Sequence, residues 1–355
     1  MTKPVRMALV GYGYWGPNLA RNISSLDETE LVAVCDASPD ARERARKHHR
    51  DARMLTSLSE VLDDPTIDAV VVAVPAEAHH AVALDVLDAG KHVLVEKPLA
   101  RSVQQCNELI AVAGAHGLTL MAGHTFVFNE AVRMVKGYLE AGELGDPYYI
   151  SMRRTNLGIV RSDENALWSL GPHDISILQY WLGSDIVTVT ATGVAHLQDG
   201  IEDVVFASIE FAGGVLAHLH CSWLEPNKVR DATIVGSRKM VVYDDTAPEA
   251  KIRLYDKGIE RREVERGERE SRIGRYENFA QFQMMVRAGD VILPRVRFEE
   301  PLAREIRHFA ECIREQEEPL TGGREARDVV AVLEAAQRSL EAGGVPQSLE
   351  ASVDV

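Results

Sequence analysis

A glycine-rich turn between two apolar runs near the N-terminus is the feature that most constrains the fold. The run Val5–Val10 leads into the turn Gly11-Tyr12-Gly13-Tyr14-Trp15-Gly16, and a helical segment then leads to a second apolar run, Leu31–Cys35. Asp36 closes the unit, 20 residues after Gly16. This order of strand, G-x-G-x-x-G turn, helix, strand and acid predicts a dinucleotide-binding βαβ unit. An ordinary glycine turn with a surface aspartate is the alternative interpretation.

Each glycine of the turn has a separate physical task. Gly11 permits a tight turn, Gly13 lets backbone N–H groups approach a pyrophosphate, and Gly16 lets the helix pack closely against the sheet. The phosphates are then expected at the positive end of the helix, on N–H groups that have no partner within the helix.

The acid after the second strand predicts which dinucleotide is bound. The Asp36 carboxylate can accept hydrogen bonds from a ribose 2'-hydroxyl and repels a 2'-phosphate, so the motif favours NAD over NADP. Arg42 and Arg44 follow closely and are expected to soften that preference.

Apolar runs continue to alternate with helical segments up to residue 123. The run Asp68–Val74 is β-branched and bounded by a proline, as expected of a strand buried on both faces of a parallel sheet. Further strands are predicted at Arg53–Leu55, His92–Val95 and Leu118–Met121. Six strands alternating with helices predict a doubly wound Rossmann domain of the α/β class over residues 1–123.

The second part, residues 124–355, has a different pattern. Strand patterns separated by short turns predict a largely antiparallel sheet, and therefore an α+β domain for substrate binding and oligomerisation. A helix is predicted from Asp174 to Leu182, and two more are predicted at Glu299–Arg314 and Arg324–Leu340. The charged stretch Glu260–Arg272 is expected to be solvated or mobile.

Composition excludes several classes of protein. The formal net charge of -15 argues against nucleic-acid binding, which needs clustered cations. The four cysteines are far apart, so neither a disulfide framework nor a zinc site is indicated. His218 and His220 share a strand face but have no obvious third ligand, and no metal is expected. No signal peptide and no apolar run near 20 residues is found, so we expect a cytoplasmic protein without membrane contact.

Two short segments are candidates for the chemistry. Glu96-Lys97-Pro98 follows the fifth strand, at the edge where parallel sheets bind ligands, and Lys97 can orient a substrate hydroxyl there. His173 lies in Leu170-Gly171-Pro172-His173-Asp174, beside the predicted helix start, where the helix dipole would disfavour its protonation and suit a general base. Asp174 can instead cap that helix. Taken alone, each residue is better explained by a structural role.

Together these segments resemble a known family. The turn Gly11–Gly16, Val74-Pro75 with His79, Glu96-Lys97-Pro98 and Gly171-Pro172-His173 resemble, in order and spacing, the glucose-fructose oxidoreductase/inositol dehydrogenase (Gfo/Idh/MocA) family over nearly the whole chain. The resemblance implies hydride transfer between NAD(P) and a sugar or cyclitol carbinol, with Lys97 and His173 as the catalytic pair. The residues expected at the cofactor are Gly11, Gly13, Tyr14, Trp15, Gly16, Asp36, Val74, Pro75, His79, Glu96 and Lys97.

The chain departs from the family pattern in two places. The usual aspartate four residues before the histidine is here Ser169, so Asp174 or Asp163 would have to replace it if an acid is needed. The frequent Tyr-Arg pair is here Phe126-Val127, which implies different substrate contacts. The candidate substrate contacts are His124, Asn129, Arg154, Asn156, Trp168, Asp174 and His220.

These observations predict an NAD-dependent oxidoreductase of a sugar, nucleotide sugar or cyclitol. The Gly16-Pro17-Asn18 segment is similar to enzymes that make nucleotide sugars, which favours a ring hydroxyl as the reacting group. Two alternatives are a non-catalytic dinucleotide sensor and a glycosidase that uses NAD. The sheet-rich second part further predicts a homo-oligomer, a dimer or tetramer, formed through an open sheet face.

Overall fold

The computed structural model describes residues 3–259 and 286–349, with the side chain of Val286 left aside. The charged stretch Glu260–Arg272 lies outside the described residues. Two sheets organise the chain, one of six strands and one of nine. The predicted combination of a doubly wound parallel sheet and a largely antiparallel second sheet is confirmed.

The first sheet is parallel throughout, with strand order β3-β2-β1-β4-β5-β6. Its strands are β1 (Val5–Val10), β2 (Thr29–Cys35), β3 (Arg53–Leu55), β4 (Ala69–Val72), β5 (His92–Glu96) and β6 (Leu120–Gly123). The helices between them are α1 (Gly16–Ser25), α2 (Pro39–His48), α3 (Leu58–Leu62), α4 (His79–Asp88) and α5 (Val103–His116). All four residues of β4 are buried, as the continuous apolar run predicts for a strand covered on both faces.

The second sheet has the order β14-β13-β12-β11-β7-β10-β9-β8-β15 and is antiparallel except for the β7–β10 pair. Its strands are β7 (Pro147–Thr155), β8 (Ile186–Val194), β9 (Val204–Phe211), β10 (Leu216–Ser222), β11 (Val229–Gly236), β12 (Met240–Asp244), β13 (Ile252–Ile259), β14 (Val286–Ile292) and β15 (Gln347–Ser348). Helices α6 (Glu130–Glu140) and α7 (Ala166–Leu182) accompany it, and α7 packs on its inner face.

The predicted start of α7 at Asp174 is wrong, because the helix begins at Ala166. The Asn165 side chain caps it by accepting a hydrogen bond from the Trp168 N–H at 3.1 Å. Gly171 and Pro172 look like a break in the sequence, yet both are buried inside the helix. Tertiary packing outweighs the usual cost of an interior proline here.

The last two helices return to the first sheet. Helix α8 (Pro301–Glu315) buries Leu302, Ile306 and Phe309 in the same apolar cluster as Leu94 of β5 and Met121 of β6. Helix α9 (Gly323–Glu341) packs against both sheets. The C-terminal part of the chain therefore completes the core of the N-terminal domain.

None of the helices in the described part of the chain is long and apolar enough to cross a membrane.

Candidate active site

The glycine turn has the geometry of a phosphate cradle. Gly11 has a φ of 98°, and a Cβ atom there would meet the Ala73 carbonyl oxygen at 2.4 Å. A Cβ on Gly16 would meet the Gly11 carbonyl oxygen at 2.6 Å, whereas one on Gly13 would meet nothing within 4 Å. The two outer glycines are thus required by close packing, and the middle one faces open space that a pyrophosphate can fill.

The start of α1 is open to an anion. Trp15 occupies the cap position without a side-chain hydrogen bond, and the first turn contains no acidic residue. The free N–H groups and the positive end of the helix are therefore available to a phosphate. The residues of this turn fit the pyrophosphate of a dinucleotide.

Asp36 is held at the end of β2 by backbone donors. Its Oδ2 accepts from the Tyr12 N–H at 2.7 Å, and its Oδ1 accepts from the Ser38 N–H at 2.8 Å. The Arg42 guanidinium donates to the carbonyl oxygens of Asp36 and Ala37, at 2.6 and 2.9 Å, and forms no ion pair with the carboxylate. The acid therefore keeps the charge that disfavours a 2'-phosphate.

His79 joins two segments at the carboxyl edge of the sheet. Its Nδ1 lies 2.7 Å from the Pro98 carbonyl oxygen, and its Nε2 lies 3.0 Å from that of Val74. The ring is almost fully buried and burial lowers its pKa, so the neutral ring donates its single N–H to one of these two carbonyl oxygens and packs against the other. His79 thus lies between the Val74-Pro75 turn and the segment after Lys97.

Lys97 reaches from the end of β5 to helix α7. Its Nζ donates a hydrogen bond to the Ser169 carbonyl oxygen at 2.9 Å. Withdrawal from solvent lowers the pKa of the Lys97 ammonium, and the charges of Glu164 and then Glu96 oppose that effect. The backbone of Ser169 therefore provides a contact at the position where the family usually has an acidic side chain.

His173 lies on the same helix, one turn beyond Ser169. Its ring packs on Phe126 with the ring centroids 4.8 Å apart. Its Nδ1 is inaccessible and has no partner among the described residues, which leaves Nε2 as the nitrogen that can face the cleft. Burial, and then the charge of Lys97, holds the pKa of His173 well below 6.5. The predicted cause, a helix start next to His173, is wrong, because α7 begins seven residues earlier.

Asp174 forms a buried ion pair and does not cap a helix. Its Oδ1 accepts from Nε and Nη2 of Arg154, at 2.8 and 2.6 Å, and both side chains are almost completely buried. The Arg154 guanidinium also lies 4.4 Å from the centre of the Phe126 ring. The Asp174 carboxylate is therefore paired with Arg154. The acid whose charge has the largest effect on the Lys97 pKa is Glu164. Glu164 is not among the residues predicted from the sequence, although it directly precedes Asn165, a residue type that often caps a helix.

The other predicted substrate contacts lie in different surroundings. His124 is buried, both its ring nitrogens lack partners among the described residues, and burial lowers its pKa to about 4. Trp168, in the first turn of α7, is partly buried between the two domains. The Asn129 side chain caps α6 and donates to Asp245 at 3.2 Å. Asn156 follows β7, and its N–H donates to the Ser222 carbonyl oxygen.

His220 does not join this group. In the β7–β10 pair it lies opposite Arg153, whereas Arg154 lies opposite Cys221. Since neighbouring residues of a strand point to opposite faces, His220 is on the outer face of the sheet, away from Arg154. There it stacks on Phe206, with the ring centroids 4.4 Å apart. The structure thus brings Lys97, His173, His124 and Arg154 together with Phe126, and leaves His220 outside.

No group of three or more His, Cys, Asp or Glu side chains in residues 3–259 and 286–349 is arranged to hold a metal ion.

The parallel sheet, the phosphate cradle and the Lys97–His173 pair at its carboxyl edge define a dinucleotide-dependent oxidoreductase. Residues 5–124 match the oxidoreductase family with the NAD-binding Rossmann fold, and residues 132–242 match the GFO/IDH/MocA C-terminal domain. The chain therefore belongs to the Gfo/Idh/MocA family of oxidoreductases. The predictions of an oxidoreductase and of NAD as its cofactor are confirmed at the level of the family. The domain boundary at residue 123 stays a prediction.

Similar proteins align along most of their length. The uncharacterized oxidoreductase YrbE of Bacillus subtilis (strain 168) is 24% identical over 99% of this chain and 98% of its own. The scyllo-inositol 2-dehydrogenase (NAD(+)) of the same strain is 25% identical over 99% and 98%. The solved structure of the UDP-N-acetylglucosamine 3-dehydrogenase GnnA from Acidithiobacillus ferrooxidans has a TM-score of 0.80 and 24% identity, and covers 96% of this chain and 99% of that one. At this identity the last similarity shows the fold alone.

Proposed function

We propose that the protein is an NAD-dependent dehydrogenase or ketoreductase. It transfers hydride between the nicotinamide and a ring hydroxyl or ketone of a sugar, nucleotide sugar or cyclitol. The observation that carries this proposal is the Lys97 Nζ–Ser169 O hydrogen bond of 2.9 Å. It joins the segment after β5 to the helix that bears His173, so one cation and one neutral base meet at the sheet edge where dinucleotide-dependent enzymes bind their ligands.

The two side chains have complementary tasks. The Lys97 ammonium donates a hydrogen bond to the substrate oxygen and stabilises the negative charge that grows on it during oxidation. His173 Nε2 accepts the hydroxyl proton, because the lowered pKa keeps the imidazole neutral near pH 7. Bound NAD supplies the hydride acceptor in oxidation, and NADH supplies the donor in reduction.

The cofactor preference depends on Asp36. Its carboxylate is fixed by two backbone N–H groups, and Arg42 binds carbonyl oxygens nearby. This arrangement lets the Asp36 carboxylate accept hydrogen bonds from the two ribose hydroxyls. It therefore supports a preference for NAD over NADP.

The substrate class is supported by the relatives. One full-length relative is named as a scyllo-inositol dehydrogenase, and a solved structure with the same fold is named as a UDP-N-acetylglucosamine 3-dehydrogenase. Both names describe oxidation of a ring hydroxyl. We therefore propose that the substrate of this protein is also a ring alcohol, either free or linked to a nucleotide.

The test is a fluorescence titration with NADH and NADPH, followed by a turnover assay on matched sugars, sugar nucleotides and inositols. We expect tighter binding of NADH, and NADH production from at least one ring alcohol. Binding without turnover on any of these alcohols would favour the second candidate, a dinucleotide sensor, which is motivated by Ser169 at a position usually occupied by an acid. Absence of dinucleotide binding contradicts both.

The proposal includes a cytoplasmic homo-oligomer. Four apolar side chains on the outer face of the second sheet are 42–54% exposed, and they come from four adjacent strands: Tyr149, Val194, Phe206 and Leu216. Such a face fits a second copy, as a dimer or tetramer. The four cysteines are free thiols, which fits a reducing compartment. A monomer in sedimentation or light scattering contradicts the oligomer.

A further inference from the structure

Besides Glu96, a second buried acidic side chain, Glu305, lies behind the proposed cofactor site. It belongs to α8, the helix that returns to the first sheet, and it is completely buried. Its helical neighbours Leu302, Ile306 and Phe309 pack into the apolar core. A carboxylate in such surroundings is costly unless a cation pairs with it. No ion pair joins Glu305 to any residue that the structure describes.

Among the described residues, Glu305 has one polar contact. Its Oε2 accepts a hydrogen bond from the Thr125 hydroxyl at 2.9 Å. Its Oε1 is inaccessible to solvent and has no partner among residues 3–259 and 286–349. The missing contact is explained if Oε1 carries a proton that another buried acceptor receives.

Glu96 provides such an acceptor on the neighbouring segment. It pairs with Gly123 in the β5–β6 ladder, and a Cβ atom on Gly123 would be 3.2 Å from the Glu96 Oε2. Thr125, the partner of Glu305, is two residues further along. The Glu96 Oε1, like the Glu305 Oε1, is inaccessible and without a partner in the described part of the chain. The two carboxyl groups therefore lie against the same segment, residues 123–125, and each has one oxygen without a partner among the described residues.

Two adjacent carboxyl groups without a cation between them cannot both be ionised at low cost. Burial raises the pKa of Glu96 to about 7, while burial and then the charge of Glu96 raise the pKa of Glu305 well above its ordinary value. The charge of the Glu96 carboxylate therefore favours the neutral acid form of Glu305. A hydroxyl that donates to a carboxylate is one of the strong hydrogen bonds in proteins.

We propose that Glu305 is a positioning residue of the cofactor site, whose carboxyl group donates its O–H to the Glu96 carboxylate. Glu96 Oε2 in turn accepts from the Lys97 backbone N–H at 3.3 Å, and the Trp15 side chain of the glycine turn lowers the Glu96 pKa against the effect of burial. Glu305 thus fixes the carboxylate that connects the glycine turn with Lys97. Its place in catalysis rests on the proposed function, whereas its protonation does not.

Few other groups act on this pair. Lys97 is the charged group that faces Glu96 from its own strand end, and Thr125 is the polar group that faces Glu305 from the turn after β6. His308, one turn further along α8, is directed instead to Cys312 and to the Leu320 N–H. His124, between Gly123 and Thr125, is buried and neutral near pH 7 because burial lowers its pKa to about 4, so Lys97 is the charged group that acts on Glu96.

The experiment is infrared difference spectroscopy of the full-length protein as a function of pH, which follows the C=O stretch of protonated carboxyl groups without substrate or cofactor. The variants are Glu305→Gln, Glu305→Met and Glu96→Gln. Glu311→Gln, an exposed glutamate on the same helix, is the matched control. At pH 9 we expect the wild type to keep a carboxyl band that disappears in Glu305→Gln and persists in Glu311→Gln.

The titration of Glu96 supplies the second readout. In the wild type a further carboxyl band should appear near pH 7 and be absent from Glu96→Gln. Glu305→Gln should leave this midpoint unchanged, because the amide N–H replaces the hydroxyl as donor. Glu305→Met should raise it by about one pH unit, because the carboxylate loses a hydrogen bond.

Three results overturn the proposal. The first is a wild-type protein without the persistent carboxyl band at pH 9, and the second is an unchanged Glu96 midpoint in Glu305→Met. The third is a lower Glu96 midpoint in Glu305→Gln, because it would mean that Glu305 is ionised in the wild type. A purely structural Glu305 would change the melting temperature and leave the Glu96 midpoint where it is. Failure to find a substrate, by contrast, leaves the infrared result unaffected and counts only against the proposed function.

Discussion

The Lys97 Nζ lies 2.9 Å from the Ser169 carbonyl oxygen, one helical turn before His173. A backbone oxygen thus holds the ammonium at the point where an acidic side chain is usual in the family. The chain therefore keeps a cation next to a neutral imidazole without a carboxylate on the same helix face.

Lys97→Ala should lower turnover by about 10²–10⁴-fold while NADH still binds, because the ammonium acts on the substrate oxygen. Turnover and a separate NADH fluorescence titration measure the two effects. Lys239→Ala, at an ion pair with Glu143, is the surface control and should behave as wild type. A parallel loss of NADH binding and turnover would indicate a structural lysine.

His173→Gln should remove the general base and reduce oxidation by about 10²–10⁴-fold. In the wild type, burial holds the pKa of His173 well below 6.5, so the imidazole is neutral at pH 7 and becomes protonated only in more acidic solution. The limb of the kcat/KM profile that belongs to His173 should therefore lie below pH 6.5, separate from any limb near pH 7 that belongs to Glu96 and that Glu96→Gln removes. A limb above pH 6.5 that persists in Glu96→Gln and disappears in His173→Gln contradicts the assignment.

Asp36→Asn should increase NADPH binding relative to NADH by about fivefold or more, because two charges 4 Å apart in water repel each other by about 1 kcal/mol. The amide retains a hydrogen-bond acceptor for the turn. Asp40→Asn, an exposed acid in the first turn of α2, is the matched control. Equal ratios in both variants would show that Asp36 does not contact the ribose.

Arg154→Met should destabilise the fold by about 3–5 kcal/mol, because it leaves the Asp174 carboxylate buried without its cation. Chemical denaturation measures the change, and the double variant Arg154→Met/Asp174→Leu should recover much of it. Arg153→Met is the control, since its ion pair with Asp231 lies on the outer face and such exposed pairs contribute about 0–1 kcal/mol. Equal losses in the two single variants would contradict the buried-pair argument.

Glu164→Gln should lower the pKa of Lys97 further. Among the charges that raise this pKa against the effect of burial, that of Glu164 has the largest effect. A double-mutant cycle with Lys97→Met isolates the interaction. We expect a small loss of stability, up to about 1 kcal/mol, in the wild type and none in the Lys97→Met background. Equal effects in both backgrounds would rule out a coupling between the two residues.

Local patterns were sufficient for the first sheet because each of its strands is a short apolar run between turn residues. They failed at α7, since Gly171 and Pro172 are typical of a helix break and only packing keeps them helical. Arg154 and Asp174 are 20 residues apart in the sequence, and they pair because β7 packs against α7. No local sequence pattern predicts this packing.

His220 shows a related limit of sequence-based prediction. Strand alternation separates it from Cys221, but which side faces Lys97 depends on the register of β10 against β7. Glu305 was missed for a similar reason: an acid in an amphipathic helix is expected in solvent, and its burial follows from the return of α8 to the first sheet.

That return has a consequence for how the protein is made. The underside of β5 and β6 is covered by side chains of α8, among them Phe309, that follow most of the second sheet in the chain. A ribosome therefore releases the dinucleotide domain with an uncovered apolar face, and this face is closed only when α8 has emerged. Synthesis proceeds from one end to the other, but the N-terminal domain is finished only after most of the second sheet has been made.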